Sequence, residues 1–236
     1  MPNPDPKKRA PRTKTLRAGV HAAWPICLGY IPIGLAFGVL AQKAGLSPLA
    51  VALMSVLVFA GSSQFIAVSM IAHGAAPAAI IMTTLMVNLR HLLMSSSLSI
   101  FLKTVSRKKL SLFAYGVTDE SFAVNHALFS SGDWGVNRAL VLNYSANLTW
   151  VISTVAGGVC GQFIPAGFLG IDYALIAMFI CLLVFQLKGR LYVLTAIFAG
   201  GLAVVLALLV PGKAYIVVAS IVAATLGVIC KRRFSL

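Results

Sequence analysis

The chain has 236 residues, 59% of them hydrophobic and only 10% charged, and its formal net charge is +14. A soluble domain needs far more polar surface than this, and several apolar stretches approach the ~20 residues that span a bilayer core. Composition therefore excludes a soluble catalytic domain and predicts an all-α fold, a polytopic membrane helix bundle; a membrane barrel would show short alternating strands instead.

Basic residues number 19 against 5 acidic ones, and they gather at the ends of apolar runs. That pattern fits the positive-inside rule and contact with anionic lipids. It does not supply the many phosphate contacts that nucleic acid requires, so no nucleic-acid partner is expected. Cys27, Cys160, Cys181 and Cys230 lie in or at the end of apolar runs. Their spacing matches no metal or disulfide pattern, and neither a metal nor another cofactor is expected.

The opening stretch, MPNPDPKKRAPRTKTLR, is rich in proline and basic residues. It predicts a disordered cytoplasmic tail over 1–20, ahead of a single transmembrane domain over 21–236. The first span is about Trp24–Gln42, with an irregular start at Pro25 and Pro32. Its Gly34 and Gly38 form a small-xxx-small step; close helix packing or a substrate path would each explain them. The second run, Pro48–Ala72, contains FAGSSQF at 59–65. Polar and small residues at membrane depth predict two half-helices meeting at Gly61–Gln64. The third run, Pro77–Leu102, is interrupted by Asn88-Leu-Arg90-His91, where a break is expected. A basic loop at 103–109 leads into 110–131, apolar at both ends with Asp119 and Glu120 in the middle. The last runs are about Val136–Phe163, Leu169–Leu187, Leu191–Val210 and Ala214–Cys230.

Charge then constrains topology. Placing the tail, 103–109, Lys188 with Arg190, and 231–233 on the cytoplasmic side requires an even number of crossings before residue 103. One of the second and third runs must then be broken or re-entrant, and 110–131 must enter and leave on one side. The expected architecture has about six full crossings plus two broken or re-entrant segments; seven simple crossings with one misplaced basic loop is the alternative. FAGSSQFIAV and GVTDESFAV share a shape, a polar turn followed by Phe and small apolar residues. Paired broken segments of this kind suggest inverted repeats around a midplane site.

Arg90 is the sharpest feature. An arginine near the bilayer centre costs at least about 2.5–3.5 kcal/mol on insertion scales, so it must face a partner or a polar cavity. It is predicted to meet Asp119 or Glu120, either as a structural ion pair or as the seat of an anionic group such as a substrate carboxylate. His91 shares a helical face with Asn88, three residues earlier; it either relays protons or is a satisfied, neutral histidine. Asp119 and Glu120 are candidate coupling carboxylates, since desolvation lets such groups bind protons near neutral pH. Gly61, Ser62, Ser63 and Gln64 would offer backbone amides, hydroxyls and a side-chain amide where a carboxylate could sit. Asn143 and Asn147 either line the same cavity or tie neighbouring helices. Ser62 or Ser63 with His91 would imitate a hydrolase, but the Gly-x-Ser-x-Gly context is missing, and no enzymatic activity is expected.

Four stretches in order, PIGLAFGVLAQKAGLS at 32–47, FAGSSQF at 59–65, NLRHLLMS at 88–95 and TDESFAV at 118–124, resemble the AzlC family of bacterial inner-membrane permeases. The resemblance covers most of residues 20–230. It implies export of branched-chain amino acids such as valine, leucine or isoleucine. It also implies a small AzlD-type partner subunit and location in the bacterial inner membrane. A zwitterionic aliphatic substrate suits the residues: Gly61–Gln64 or Arg90 for its carboxylate, and Asp119 or Glu120 for its ammonium. Phe59, Phe65, Met86 and Phe122 are candidate apolar walls. Proton antiport is the expected coupling, through His91, Asp119 and Glu120. A passive facilitator for small amphiphiles and a non-transporting scaffold subunit are the rival readings.

Overall fold

The computed structural model describes residues 12–163 and 189–209 continuously, and also positions 173, 177, 180, 184, 187, 219, 222, 223 and 225–230. Among them the regular elements are all helical, as composition predicted. They are α1 (Arg12–Lys43), α2 (Pro48–Leu57), α3 (Gly61–Ala72), α4 (Pro77–Leu98), α5 (Arg107–Tyr115), α6 (Asp119–Ser130), α7 (Val136–Cys160) and α8 (Arg190–Leu209). Short 3-10 turns follow α4 at Ser99–Phe101 and α7 at Gly161–Phe163. Two compact units are distinguished, Met1–Leu175 and Ile176–Leu236.

Three helical stretches among the described residues are long and apolar enough to cross a membrane: Thr13–Lys43, Pro77–Phe101 and Val136–Cys160. In the second unit α8 has 20 residues, a rise of about 30 Å at 1.5 Å per residue. The run expected at 169–187 lies largely outside the described residues, and the one expected at 214–230 lies partly outside them.

In the first unit, α1 packs along α7. A Cβ added at Gly38 would fall on the Thr154 carbonyl oxygen and the Gly158 amide, so the two backbones are in direct contact there. Ser153 Oγ donates across the same interface to the Tyr30 carbonyl, 3.3 Å away. This packing keeps α1 a continuous helix through Pro25 and Pro32, where the sequence suggested an irregular start. The helix also begins earlier, at Arg12, inside the stretch expected to be a disordered tail. The aromatic core between α1, α3 and α7 is Tyr30, Phe37, Phe65 and Trp150. Edge contacts of 5.1 Å join Phe37 to Phe65 and of 5.3 Å join Tyr30 to Trp150. A second core gathers Leu98, Leu102, Phe113, Val117, Phe129 and Ala139.

The second run is broken, as expected, but earlier than expected. Val58, Phe59 and Ala60 separate α2 from α3, with Phe59 at φ 38°, while Gly61–Gln64 form the first turn of α3. The third run is not broken: α4 continues through Asn88, Arg90 and His91. The reason is that these side chains extend outward to other elements, so the α4 backbone keeps its own ladder. The other broken segment is 110–131, as parity predicted, where Gly116, Val117 and Thr118 separate α5 from α6. The crossing helices α1, α4 and α7 thus alternate with two broken pairs, α2–α3 and α5–α6.

Candidate functional site

Side chains of α7 reach both breaks, the first through Gln64 of α3 and the second directly. At the first, the Gln64 carboxamide fills the gap in the backbone ladder. Its Oε1 accepts from the Ala60 amide at 3.3 Å and from Trp150 Nε1 at 3.0 Å, while its Nε2 donates to Ser55 Oγ at 3.3 Å. Ser55 in turn shares a hydrogen with Thr154 on α7 at 2.8 Å. Ser63 Oγ donates to the Ala60 carbonyl at 3.0 Å.

At the second break, Asn143 Nδ2 donates to the Phe113 carbonyl at 3.2 Å, and its Oδ1 accepts from Asn125 Nδ2 at 2.9 Å. Trp134 Nε1 closes the chain onto Asn125 Oδ1 at 3.0 Å. Gly116 permits this approach, since a Cβ there would stand 2.6 Å from the Cβ of Asn143. Thr118 and Ser121 form a capping box that starts α6; each side chain satisfies an amide that the helix start leaves orphaned.

The middle of α4 bridges the two breaks. Arg90 Nη2 lies 3.1 Å from Asp119 Oδ2 in the first turn of α6. The same nitrogen donates to Ser62 Oγ in the first turn of α3. The two groups of the ion pair are 30% and 24% exposed, so the pair is not sealed in a core. Arg90 thus takes the first of its two expected partners. Glu120 takes another: its Oε2 lies 2.8 Å from the Tyr30 hydroxyl, which also lies 2.8 Å from Thr118 Oγ1. His91 Nδ1 lies 2.8 Å from the Val117 carbonyl in the second break. Three polar atoms in this stretch of α4, Asn88 Oδ1, Arg90 Nε and His91 Nε2, are buried without a hydrogen-bond partner among the described residues.

Beside the first break an open cleft of about 510 Å³ lies between α2, α3 and α4. Its walls are Met54, Leu57, Val58, Ala67, Ile80, Ile81 and Leu85, with Ser63, Thr84 and Asn88 as its polar groups. Pockets of a few hundred Å³, mostly apolar with a few convergent polar groups, are the usual form of a small-molecule site.

The structure therefore brings Ser62, Arg90, His91, Asp119 and Glu120 around the two breaks, with Asn88 and Ser63 on the cleft. It does not bring Gln64 and Asn143 there as free ligands, because each is buried and spends its hydrogen bonds on a break. The expected apolar walls are dispersed. Phe59 and Phe65 are buried, Met86 is 40% exposed, and Phe122 packs against His126. Nor does a serine–histidine pair form: Ser62 faces Arg90, Ser63 faces Ala60, and His91 faces Val117.

A family model described as "AzlC protein" matches residues 25–164, the segment that contains both breaks and all of this cluster. The chain belongs to the AzlC family. The inner membrane protein YgaZ of Escherichia coli is 34% identical to this family member over 212 residues, covering 86% of each chain. The branched-chain amino acid transport protein AzlC of Bacillus subtilis is 29% identical over 226 residues, 94% of this chain and 87% of that one. An uncharacterized membrane protein of Archaeoglobus fulgidus is 31% identical over 207 residues. No solved structure matches this AzlC chain.

The sequence reading of this AzlC chain passed over Tyr30, Ser55, Thr118 and Trp150. Thr118 carried a signal, since a threonine with a polar residue three positions on announces a helix start. Tyr30 sits between two prolines in an apolar run, and only the packing of α1 on α6 reveals its partner. Ser55 and Trp150 are ordinary residues of apolar runs until Gln64 joins them.

Proposed function

We propose that the protein is the large subunit of an exporter of branched-chain amino acids in the bacterial inner membrane. Both termini are cytoplasmic, a small AzlD-type membrane protein is its partner, and proton antiport drives it. The observation that carries this reading is Arg90, held between Ser62 and Asp119 where two broken helices begin, beside an apolar cleft.

An aliphatic amino acid needs three things from its site. Its carboxylate needs a cation and N–H donors: Arg90 has a spare Nε–H, and a helix start such as that of α3 presents unpaired amides with a favourable dipole. Its side chain needs an apolar slot, for which the cleft has aliphatic walls. Export against a gradient needs a titratable group near the substrate, for which His91, Asp119 and Glu120 stand within the same cluster. A substrate carboxylate entering on Arg90 competes with Ser62 and Asp119, so binding loosens the guanidinium's tie to each break. The Bacillus subtilis relative, a branched-chain amino acid transport protein, supports this substrate class.

The test is counterflow of labelled valine and leucine in liposomes, with the chain alone and with its co-expressed small membrane partner. Exchange that a pH gradient accelerates and that Arg90→Ala abolishes is the expected result. Absence of exchange in both preparations of correctly inserted protein overturns the reading.

A further inference from the structure

The substrate ammonium still lacks a place. Both nearby carboxylates are engaged, Asp119 by Arg90 and Glu120 by Tyr30. Yet α4 carries two buried acceptors with no partner among the described residues, Asn88 Oδ1 and His91 Nε2. The state of the imidazole follows from its other nitrogen. His91 Nδ1 lies against the Val117 carbonyl, which only accepts, so Nδ1 carries the hydrogen and Nε2 of the neutral ring is a bare lone pair.

Because α4 is continuous here, its geometry places these groups relative to one another. At ~100° per residue, His91 stands about 60° around the helix from Asn88 and about 100° from Arg90. It therefore lies between the amide that lines the cleft and the guanidinium. Positions three apart are neighbours on a helix surface. Two neighbouring acceptors without a donor call for a group with several N–H bonds. The cleft at Asn88 is walled by aliphatic side chains, so that group comes attached to a short apolar body.

We infer that Asn88 Oδ1 and His91 Nε2 form the ammonium site, and that a proton and the substrate ammonium compete for His91 Nε2. This rests on the transport reading above and names the place where coupling occurs. An ammonium N–H donates to Nε2 only while the ring is neutral. A proton on Nε2 removes the lone pair and adds a like charge beside the ammonium, so the two ligands exclude each other. Mutual exclusion at one atom is sufficient for exchange of one proton for one amino acid. The other titratable or charged groups on α4 and on the elements packed against it are, among the described residues, Arg90 on α4 and Asp119, Glu120 and His126 on α6. Over Gly61–Ala72, α3 contributes none. Tyr30 of α1 faces Glu120. His126 is exposed and rests against Phe101 and Phe122, so it serves as the control histidine.

The experiment measures binding of labelled valine to the full chain with its small partner, from about pH 8 to about pH 5.5. Competition by isovalerate, which keeps the carboxylate and branched body but lacks the ammonium, runs alongside. The wild type should lose affinity for valine as pH falls, by up to about tenfold per unit, the limit that competition with a single proton sets. Isovalerate should show no such slope. His91→Gln keeps an acceptor that does not titrate, and should flatten the valine slope to less than about twofold across the range. His126→Gln should leave it intact. Asn88→Ala should weaken valine about tenfold at the alkaline end while leaving isovalerate unchanged.

A valine slope that survives in His91→Gln, or Asn88→Ala binding valine like the wild type, overturns the assignment and returns the ammonium to Asp119 or Glu120. Should His91→Gln fail to fold, the wild type still decides, since equal slopes for valine and isovalerate overturn it. Failure of the wild type to bind valine at any pH is the different result that overturns the transport reading itself, and this inference with it.

Discussion

The two breaks are built alike and charged differently. Each interrupts an apolar segment for three residues, 58–60 and 116–118, and each is tied down by a polar side chain of α7 or by one that α7 holds. The first starts its new helix with Gly61, Ser62 and Ser63, all neutral; the second starts with Asp119 and Glu120. Carboxylates in a first turn complement the helix dipole, so the second break satisfies its own helix start. The first brings no charge of its own to that positive end. Arg90 spans the difference, with one bond to the neutral start and one ion pair to the acidic one. A binding end and a balancing end follow from this asymmetry.

The largest effect should come from removing the span itself. Arg90→Ala leaves Asp119 as an unpaired, partly buried carboxylate, a situation that costs about 3–5 kcal/mol for a buried pair and somewhat less at 24% exposure. Transport should vanish and the melting temperature in detergent should drop. Adding Asp119→Asn should restore most of the melting temperature and none of the transport. Transport returning in the double variant would show that the pair is structural and that the substrate carboxylate binds elsewhere.

Next come the plugs. Gln64→Ala removes three hydrogen bonds and strands the Trp150 and Ala60 N–H groups. At about 1–3 kcal/mol for each buried orphan, it should destabilise by about 3 kcal/mol. Asn143→Ala strands Asn125 Nδ2 and leaves the Phe113 carbonyl with the Gly116 amide alone, and should cost about 2 kcal/mol by the same reasoning. Thermal unfolding of the purified variants ranks them. The reverse order would mean that the second break, not the first, is the more dependent on α7. A smaller loss, about 1 kcal/mol, is expected for Thr118→Ala, which deletes a helix cap at the acidic break only.

Much of this comparison was legible in the sequence. Hydropathy found the crossing stretches, because a bilayer leaves little choice of length and polarity. Polar residues at membrane depth found the first break and, through Arg90, its acidic counterpart. The errors have a common cause. Asn88, Arg90 and His91 read as a break, yet long polar side chains can reach distant partners from an intact helix. Gln64 read as a ligand and Asn143 as either a ligand or a tie between helices, and a break consumes nearby amides to satisfy its own backbone. Whether a polar group serves the backbone or a substrate depends on which neighbour α7 brings beside it, and that is long-range information. Pro25 and Pro32 suggested an irregular or kinked start, yet both lie inside one continuous helix that packs along α7.

The smallest predicted effect tests whether the two breaks move against each other. Besides Arg90, Tyr115 at the end of α5 joins the broken pairs: its ring lies against Phe59 of the first break and its hydroxyl donates to the Val56 carbonyl of α2. Tyr115 is 37% exposed, so its hydrogen bond is worth no more than about 1 kcal/mol, and Tyr115→Phe should barely change the melting temperature. If the pairs are a rigid block, transport should be equally unaffected. If substrate binding on Arg90 lets α2–α3 shift relative to α5–α6, the bond is present in one state and absent in the other. Its loss then biases that equilibrium by up to about 1 kcal/mol, a change of up to about fivefold in the population of the two states. A change in counterflow rate with unchanged melting temperature is the expected outcome, because the asymmetry between a binding end and a balancing end is useful only if the two can separate.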